Sequence, residues 1–302
     1  MGRLFLRLIY LKSRPGKYRY INDAMLLMVT LIWGATFTMV KIALEDIGVF
    51  GFLALRFTIA SVAITLFIFP KLKDLDIRTL TSGIILGILL FASYALQTMG
   101  LFYTSVSNVG FITGLNVVWV PILSMLVLYK KPSGWALSGV IFACAGLFLL
   151  VTKGTPMQPN LGDMWTLGCS FAIAFHLLFT GAYAPKMDPD LLAGTQIMTV
   201  ALLSWLSWLI WEDTPLVIST CVWGTAIFTA LFATVFAFVC QTRVQRIISP
   251  TRTAIIFTTE PVFCALFAYW YIGESMGTIA LIGAGLILIG MLCAEIKPKE
   301  WS

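Results

Sequence analysis

The sequence predicts an all-α membrane protein with ten transmembrane helices arranged as two inverted five-helix repeats. Composition is the first observation behind this prediction: 59% of the 302 residues are hydrophobic and only 11% are charged, against about 25% charged residues in an ordinary soluble domain. The second observation is that apolar stretches of about 20 residues, long enough to cross a bilayer, recur along the whole chain. The third is a likeness between the two halves of the chain.

The apolar stretches give ten predicted spans joined by short connections, which leave no room for a domain outside the membrane. Any function is therefore expected inside the helical bundle. The predicted spans cover residues 24–44, 49–69, 79–101, 105–129, 133–152, 162–184, 191–211, 218–241, 249–272 and 276–294.

The distribution of basic residues predicts the orientation of these spans. Sixteen of the twenty Lys and Arg residues fall in the tails and connections on one predicted side of the membrane, and only Lys153 falls on the other side. Because cytoplasmic loops collect Lys and Arg, we expect both terminal tails, residues 1–23 and 295–302, to be cytoplasmic. The net charge of +6 then reflects membrane orientation, and no nucleic-acid partner is expected.

The tail at residues 1–23 has basic residues around short apolar clusters. It lacks the continuous apolar core and the small-residue cleavage site of a signal peptide. We therefore expect a tail that either lies near anionic lipid or acts only as an orientation signal.

Two stretches of equal length indicate the internal repeat. Ser249–Ser275 is an apolar run interrupted by Glu260-Pro261, and the serines that bound Ser107–Ser133 are the same distance apart. Aligning the bounding serines places Val118-Trp119 opposite Glu260-Pro261. The carboxylate and the proline are therefore expected in one repeat only.

The repeat divides the chain into a first half, residues 24–152, and a second half, residues 162–294. Because each half has five predicted spans, an odd number, the second half must enter the membrane upside down relative to the first. Inverted repeats are common in secondary transporters, whose substrate site lies near the middle of the membrane between the repeats. Four glycines fit the alignment only after a slip of two residues, namely Gly139 and Gly146 against Gly283 and Gly290.

Several segments carry a resemblance to a known family: LLMVTLIWGATFTMVKIAL, LRFTIA, YTSVSNVGFITGLNVVWVPIL, ISPTRTAIIFTTEPVFCALFAYWYIGES and GAGLILIGMLCAE. They resemble the EamA family of the drug/metabolite transporter superfamily, over nearly everything after about residue 22. The resemblance implies a carrier of small metabolites, often working outward, in a bacterial cytoplasmic membrane. It also implies a central cavity between helices three, four, eight and nine and parts of one and six. The Gly273-Glu274 of the second half is matched by Lys131-Pro132, a departure from the family pattern.

Glu260 is predicted to lie near the middle of the ninth span, where a charged side chain costs at least about 2.5–3.5 kcal/mol. Ser249, Thr253 and Glu260 fall on one stripe of a continuous helix. Pro261 has no N–H, so the helix is expected to kink or open there. Glu260 either lines a cavity, where it binds a substrate amine or a coupling proton, or it holds the kink together by accepting hydrogen bonds from the backbone of neighbouring helices.

Two faces are distinguished in the fourth predicted span. Asn108, Asn116 and Trp119 share one face, whereas Gly110 and Gly114 lie on the opposite side with the G-x-x-x-G spacing that favours close helix packing. Amide side chains in lipid are costly unless they are hydrogen-bonded. The two asparagines are therefore predicted to line a cavity or to bond to other helices.

Four further residues are candidates for a substrate cavity. Tyr94 and Gln97 share a face of the third span, and Trp33 lies deep in the first span, where an indole ring offers an apolar wall with a polar edge. Core packing is the alternative for these aromatic residues. His176 is the only histidine, and we expect either a hydrogen-bonded core residue or a cavity residue that helps proton coupling.

Three basic residues fall within predicted spans. Lys41 and Arg56 are expected toward the outer surface, where they can snorkel or pair with Glu45 and Asp46. Arg252 is expected to snorkel to the cytoplasmic surface or to act as a cationic gate.

Other functional classes find less support in the sequence. An enzyme needs clustered acids, bases or metal ligands, a receptor of this kind is expected to have long loops, and a channel is expected to have a ring of charges. No phosphate-binding loop for ATP is present. The six cysteines all fall in predicted spans without C-x-x-C spacing, so free thiols are expected, with no metal and no cofactor.

These observations predict a secondary transporter that works by alternating access. The expected substrates are neutral or zwitterionic, partly hydrophobic solutes such as amino acids, and export is the expected direction. The alternatives are an intramembrane receptor or enzyme, or a nucleotide-sugar or drug-type carrier of the same superfamily. The expected partners are a small solute, the lipid bilayer and protons, and both a monomer and a homodimer remain open.

Overall fold

The computed structural model describes residues 19–129, 131–152, 160–212, 218–272 and 277–295. Helix follows helix through this part of the chain. The α-helices are α1 Arg19–Ala43, α2 Val49–Ile68, α3 Ile77–Tyr103, α4 Val106–Gly114, α5 Asn116–Val127, α6 Gly134–Thr152, α7 Leu161–Tyr183, α8 Pro189–Trp211, α9 Thr220–Ala230, α10 Ala237–Val244, α11 Pro250–Phe257, α12 Glu260–Ile272 and α13 Thr278–Glu295. Short 3₁₀ helices cover Phe69–Asp74 and Ala184–Lys186, and a π-helix, Leu231–Phe236, joins α9 to α10.

Seven segments of the described chain are long and apolar enough to cross a membrane, as in a polytopic membrane protein. They correspond to the predicted spans one to four and six to eight. The predicted spans five and ten coincide with shorter apolar helices, Gly134–Leu149 and Leu281–Cys293. The seven segments are Tyr20–Ala43, Val49–Asp74, Ile77–Tyr103, Asn108–Val127, Leu161–Lys186, Pro189–Trp211 and Thr220–Val244.

The predicted ninth span is two helices rather than one. Helix α11 ends at Phe257, and α12 begins at Glu260. Because Pro261 has no N–H to donate to the carbonyl of Phe257, the ladder of helical hydrogen bonds stops there, and Thr258 and Thr259 form the break. The kink or opening expected at Pro261 is therefore present, and it divides the predicted span into two helices.

A matching break divides the predicted fourth span. Ser105 caps α4 by accepting a hydrogen bond from the amide of Asn108, and Ser249 caps α11 in the same way from Arg252. In each case the second helix begins eleven residues after its capping serine, at Asn116 and at Glu260. The structural match therefore lies two residues from the one expected, and it places Asn116, rather than Val118, opposite Glu260.

The same shift aligns the four glycines on α6 and α13, which pack extensively against each other. A Cβ on Gly146 would lie 2.5 Å from the carbonyl oxygen of Gly283, and a Cβ on Gly290 would lie 2.7 Å from that of Gly139. In the alignment of the two halves, Gly146 corresponds to Gly290 and Gly139 corresponds to Gly283. The two contacts are therefore equivalent. Glycine is required at these points because the two backbones touch.

The remaining helices surround a central space. Helix α3 packs along α7 and α8, α2 packs along α8, and α1 packs along α12. Gly34 permits the last of these contacts, because a Cβ there would lie 2.8 Å from Cβ of Phe263 and 2.9 Å from the amide nitrogen of Cys264. This close approach of α1 and α12 positions the break at Thr258-Thr259 beside the centre of the bundle.

Candidate functional site

A cavity lies at the centre of the bundle and contains about 740 Å³ of empty space, including its open part. Both halves of the chain contribute to its walls. The apolar lining comes from Trp33, Phe37, Val40, Leu90, Leu101, Ile173, Leu177, Phe238 and Phe257. The polar lining comes from Thr36, Arg56, Ser93, Tyr94, Gln97, Thr98, Thr113, Asn116, His176, Gln241 and Glu260.

Six residues that the sequence singled out lie on this cavity: Trp33, Tyr94, Gln97, Asn116, His176 and Glu260. They come from α1, α3, α5, α7 and α12. The fold thus brings together residues that are more than 200 positions apart in the chain.

Three other candidates lie away from the cavity lining. Asn108 donates from Nδ2 to the carboxylate of Asp163 at 3.2 Å, and the indole of Trp119 donates to Ser170 at 3.3 Å. Thr253 is fully buried, and its hydroxyl donates to the carbonyl of Ser249 at 3.1 Å. The predicted stripe of Ser249, Thr253 and Glu260 is lost because the helix does not continue past Phe257.

Glu260 is the first residue of α12 and is 9% exposed. Its carboxylate makes no hydrogen bond to any other described residue, so the expected bonds to neighbouring backbone amides are not seen there. The break beside Glu260 is instead tied to α1 by a hydrogen bond of 2.9 Å between the hydroxyls of Thr30 and Thr259. The carboxylate is left facing the cavity.

Two amide residues of the cavity lining have side-chain oxygens that the described chain leaves without a hydrogen bond. Asn116 donates from Nδ2 to the carbonyl of Thr113 at 2.8 Å, and Gln241 donates from Nε2 to Gln245 at 3.0 Å. The Oδ1 atom of Asn116 and the Oε1 atom of Gln241 are buried without a hydrogen-bond partner in the described chain. Because a buried acceptor without a partner costs about 1–3 kcal/mol, the cavity favours a molecule that donates hydrogen bonds.

Arg56 is a cavity residue that the sequence reasoning placed elsewhere. It was expected near the outer surface, yet it is only 4% exposed. Its Nε atom donates to Thr234 at 2.9 Å, and Nη2 donates to the hydroxyl of Tyr94 at 3.1 Å. The guanidinium also lies 4.5 Å from the centre of the Tyr94 ring. Its burial could have been suspected from its place in LRFTIA, which lies well inside an apolar span. No acidic residue lies one helical turn away to pair with it.

His176 is hydrogen-bonded and also lies on the cavity lining. Its Nε2 atom shares a hydrogen bond of 2.7 Å with Oε1 of Gln196, and Nε2 of Gln196 donates to Thr242 at 3.4 Å. The ring also stands edge-on to Phe238, with centroids 5.8 Å apart. His176 is therefore a hydrogen-bonded core residue whose ring also forms part of the cavity wall.

The π-helix supplies a backbone acceptor to the cavity wall. The carbonyl of Ala233 accepts a hydrogen bond of 2.8 Å from the indole of Trp33 and longer ones from Arg56 and Tyr94, at 3.4 and 3.5 Å. Trp33 also packs edge-on against Phe257 at 4.9 Å. These contacts fix the aromatic wall of the cavity to the middle of the bundle.

Ion pairs connect the two halves at the predicted cytoplasmic ends of the helices. Lys71 contacts Asp188 at 2.8 Å and Asp190 at 2.6 Å, and Arg243 contacts Asp190 at 2.6 Å. Arg252 pairs with Asp23 at 2.5 Å. Arg252 was expected to snorkel or to act as a cationic gate, and it is instead held by α1.

At the opposite ends of the helices, charged side chains bind the backbone. Glu212 accepts hydrogen bonds from the amides of Phe50 and Gly51 at 2.8 and 2.9 Å, which caps the start of α2. The ammonium group of Lys41 donates to carbonyl oxygens at the end of α3, including those of Leu101 and Thr104. Pairing of Lys41 with Glu45 or Asp46, the expectation from the sequence, is not among its contacts.

The described residues contain no group of three His, Cys, Asp or Glu side chains that could hold a metal ion. The six cysteines form no disulfide bonds with one another, and Cys169, Cys240 and Cys264 are buried. Among the described residues, the chemistry available at the cavity is that of one carboxylate, one guanidinium, one imidazole, hydroxyls, amides and aromatic rings.

Comparison with known proteins places this arrangement in a family. The model of the EamA-like transporter family matches residues 21–152 and again residues 160–295. An uncharacterized transporter of Archaeoglobus fulgidus is 32% identical over 97% of this chain and 92% of its own length. The uncharacterized transporter YyaM of Bacillus subtilis is 27% identical over 90% of this chain and 92% of its own length.

One solved structure, titled only as the crystal structure of a protein, has the same fold. It superposes with a TM-score of 0.75 at 16% sequence identity and covers 91% of this chain and 97% of its own. The central cavity, the apolar helices and the family match over both halves lead to one conclusion: the chain belongs to the EamA-like transporter family.

Proposed function

We propose that this protein is a secondary transporter that moves small, neutral or zwitterionic, partly hydrophobic solutes, such as amino acids, across a bacterial cytoplasmic membrane. It works by alternating access, in the direction of export, and the central cavity is the substrate site. Both termini are cytoplasmic, and ten spans form two inverted repeats. Glu260 provides the charge that binds a solute amine or a coupling proton.

The observation that carries this proposal is the composition of the cavity wall. Indole and phenyl rings from Trp33, Phe238 and Phe257 suit the apolar part of a solute, while Asn116, Gln241 and Glu260 present oxygens that accept hydrogen bonds. A solute with an apolar body and an amino group matches both parts of the wall.

Two observations support the inverted repeat within this proposal. The broken helices begin with capping serines at the same distance from Asn116 and Glu260, and the backbone contacts between α6 and α13 exchange when the halves are exchanged. In inverted-repeat transporters the substrate site lies between the repeats, where broken helices expose backbone groups. The breaks at Leu115 and at Thr258-Thr259 stand beside the cavity.

Uptake into proteoliposomes of the purified protein tests the proposal. A mixed panel of metabolites is offered with and without a proton gradient, and liposomes without protein are the control. We expect saturable uptake of amphipathic solutes with an amino group. Absence of uptake for every solute under both conditions, with protein that is monodisperse and folded, would contradict the proposal.

A further inference from the structure

Arg56 is a charged residue within the cavity wall that no expected role accounts for. It lies within α2 and is 4% exposed, so it does not reach either surface of the bundle. Its Nε and Nη2 atoms are fixed by neutral acceptors, namely Thr234, Tyr94 and the carbonyl of Ala233. The Nη1 atom makes no hydrogen bond within the described chain, on a residue that lines the cavity.

The charge of Arg56 is uncompensated by the described residues around it. A guanidinium stays protonated in proteins, and a buried charge without an opposite partner is unfavourable. Tyr94 and Phe57 place ring faces at 4.5 and 5.5 Å from the guanidinium carbon, which favours the cation but does not neutralise it. Glu260 lines the same cavity and forms no ion pair with Arg56. Two opposite charges thus stand in one cavity, each without a charged partner.

We propose that Arg56 binds the anionic end of the transported solute and makes the carrier selective for solutes with a carboxylate. This inference rests on the proposed function, since it assumes that the cavity is the substrate site. An arginine suits a carboxylate because planar N–H donors match the two oxygens. Glu260 then faces the cationic end, and the solute replaces the missing partner of each charge.

A carboxylate fits this site better than a phosphate. Arg56 is the cation of the cavity lining, whereas a phosphate monoester carries nearly two negative charges at neutral pH. Binding a phosphate would leave negative charge uncompensated in a cavity that already contains the carboxylate of Glu260. A single carboxylate balances Arg56 alone.

A structural role for Arg56 makes a different prediction. Arg56 and Trp33 both donate to the carbonyl of Ala233 in the π-helix, so Arg56 could serve only to hold this carbonyl. Loss of this structural contact would weaken transport of every solute in the same proportion. Loss of a carboxylate-binding group would weaken transport of acids selectively.

The test compares matched pairs of probes in proteoliposomes: leucine with leucinamide, and phenylalanine with phenylalaninamide. Each pair keeps the amine and the apolar side chain and differs in the carboxylate. We expect the wild type to prefer the acids and Arg56→Gln to reduce the preference for acid over amide about tenfold or more, because a hydrogen bond to a charged group is lost. Uptake of the amides should fall less than uptake of the acids.

Further variants separate charge, position and folding. Arg56→Lys keeps the charge and should retain part of the preference, even if Arg56→Gln does not fold. Tyr94→Phe keeps the ring beneath the guanidinium but removes the hydroxyl that accepts from Nη2, so it should reduce the preference by a smaller factor. Arg78→Gln makes the same chemical change at an exposed position at the start of α3 and should leave the preference unchanged.

The possible failures are distinguishable. Transport of amides with equal or greater efficiency than acids by the wild type, or an equal loss for both in Arg56→Gln or Arg56→Lys, would overturn the role of Arg56 and leave the carrier proposal standing. Absence of uptake of both members of each pair, together with no uptake of any other solute in the metabolite panel, would overturn the carrier proposal and this inference with it.

Discussion

At the scale of single residues, the central cavity is defined by polar groups that the protein does not satisfy itself. Asn116 and Gln241 each have a buried oxygen without a hydrogen-bond partner in the described chain, Glu260 adds a carboxylate, and Arg56 adds a guanidinium. Buried polar groups in proteins are nearly always hydrogen-bonded. The exceptions in this cavity mark the groups that a solute or water must satisfy.

Replacement of Glu260 by Gln is expected to abolish most transport of solutes that carry an amine. The change keeps the shape of the side chain and removes its charge, so the expected loss of transport is electrostatic. A hydrogen bond to a charged group contributes about 1.5–3 kcal/mol. Its loss corresponds to roughly a tenfold or greater decrease in transport. Initial rates of uptake into proteoliposomes measure it across a pH series.

The matched control for that variant is Glu45→Gln, since Glu45 is exposed at the end of α1. It should transport like the wild type. Full transport by Glu260→Gln at every pH would remove both the substrate-binding and the proton-coupling role of this carboxylate.

The acidic side of the cavity is more readily predicted from the sequence than the basic side. Glu260 is identified by its position beside a proline in an apolar run, and Asn116 by the cost of an amide in lipid. The cavity position of Arg56 was not predicted, because a long basic side chain within a span can also extend to the membrane surface. The periodicity of the sequence does not distinguish these two positions. Only the contacts with Tyr94 and Thr234 decide the matter.

At the scale of secondary-structure elements, helices that touch by backbone control the position of the breaks. Helix α1 meets α12 at Gly34, and α6 meets α13 at Gly146 and Gly290. Glycine at such points allows the close approach that drives helix association in membranes. The broken segments are thus supported by rigid contacts on their outer sides.

Alanine at Gly146 or Gly290 is expected to lower stability to a similar extent. Each new Cβ would meet a backbone carbonyl of the partner helix, at 2.5 and 2.7 Å respectively, and overpacking of this kind typically costs about 1–3 kcal/mol. Thermal unfolding in detergent, followed by tryptophan fluorescence, provides the measurement.

Gly285→Ala is the control within the same helix pair. A Cβ there has no neighbour within 4 Å, so the change should be neutral or slightly stabilising, as glycine is less favourable than alanine in a helix by about 0.5–1 kcal/mol. A loss at Gly285 as large as at Gly290 would show that helix–helix contact is not the cause.

The sequence predicted one of the two helix breaks, and its expectation of close packing was wrong for one glycine of the Gly110 and Gly114 pair. Pro261 predicts the break after Phe257, because proline has no N–H and cannot donate the helical hydrogen bond to the carbonyl of Phe257. The break at Leu115 has no proline directly beside it, so the equivalence of Asn116 and Glu260 emerged only from the capping serines. Gly110 was expected to pack against a helix, yet a Cβ there would meet nothing within 4 Å.

At the scale of the whole molecule, charged contacts join the two halves at both ends of the cavity. Lys71 and Arg243 share Asp190 at one end, and Glu212 caps α2 at the other end. If the cavity opens alternately to the two sides, contacts at one end must separate while those at the other remain. The ion pairs and the cap are the groups whose separation would accompany each opening.

The orientation of the protein can be tested with reporter fusions. Green fluorescent protein fused to the C-terminus should fluoresce, and alkaline phosphatase at the same point should be inactive, because cytoplasmic loops collect Lys and Arg. Alkaline phosphatase fused after residue 212, at the end of the seventh predicted span, should be active. The reverse pattern at the two sites would contradict the cytoplasmic placement of both termini.

Most of the helical order could be predicted from the sequence, because apolar length is a direct requirement of the bilayer. Seven predicted spans meet that requirement in the described chain, whereas the predicted spans five, nine and ten consist of shorter helices. Hydropathy alone does not show which helices pack closely against each other, as α6 does against α13.

The π-helix at Leu231–Phe236 sets the angular position of the side chains of α10, which continues directly from it. A π-turn contains one more residue than an α-turn, and one residue corresponds to 100° of rotation and 1.5 Å of rise. Removing one residue from this segment would restore a regular helix but would rotate Phe238 and Gln241 away from the cavity while leaving Thr225 and Thr229 in place. A single additional residue therefore determines which side chains of α10 the cavity receives.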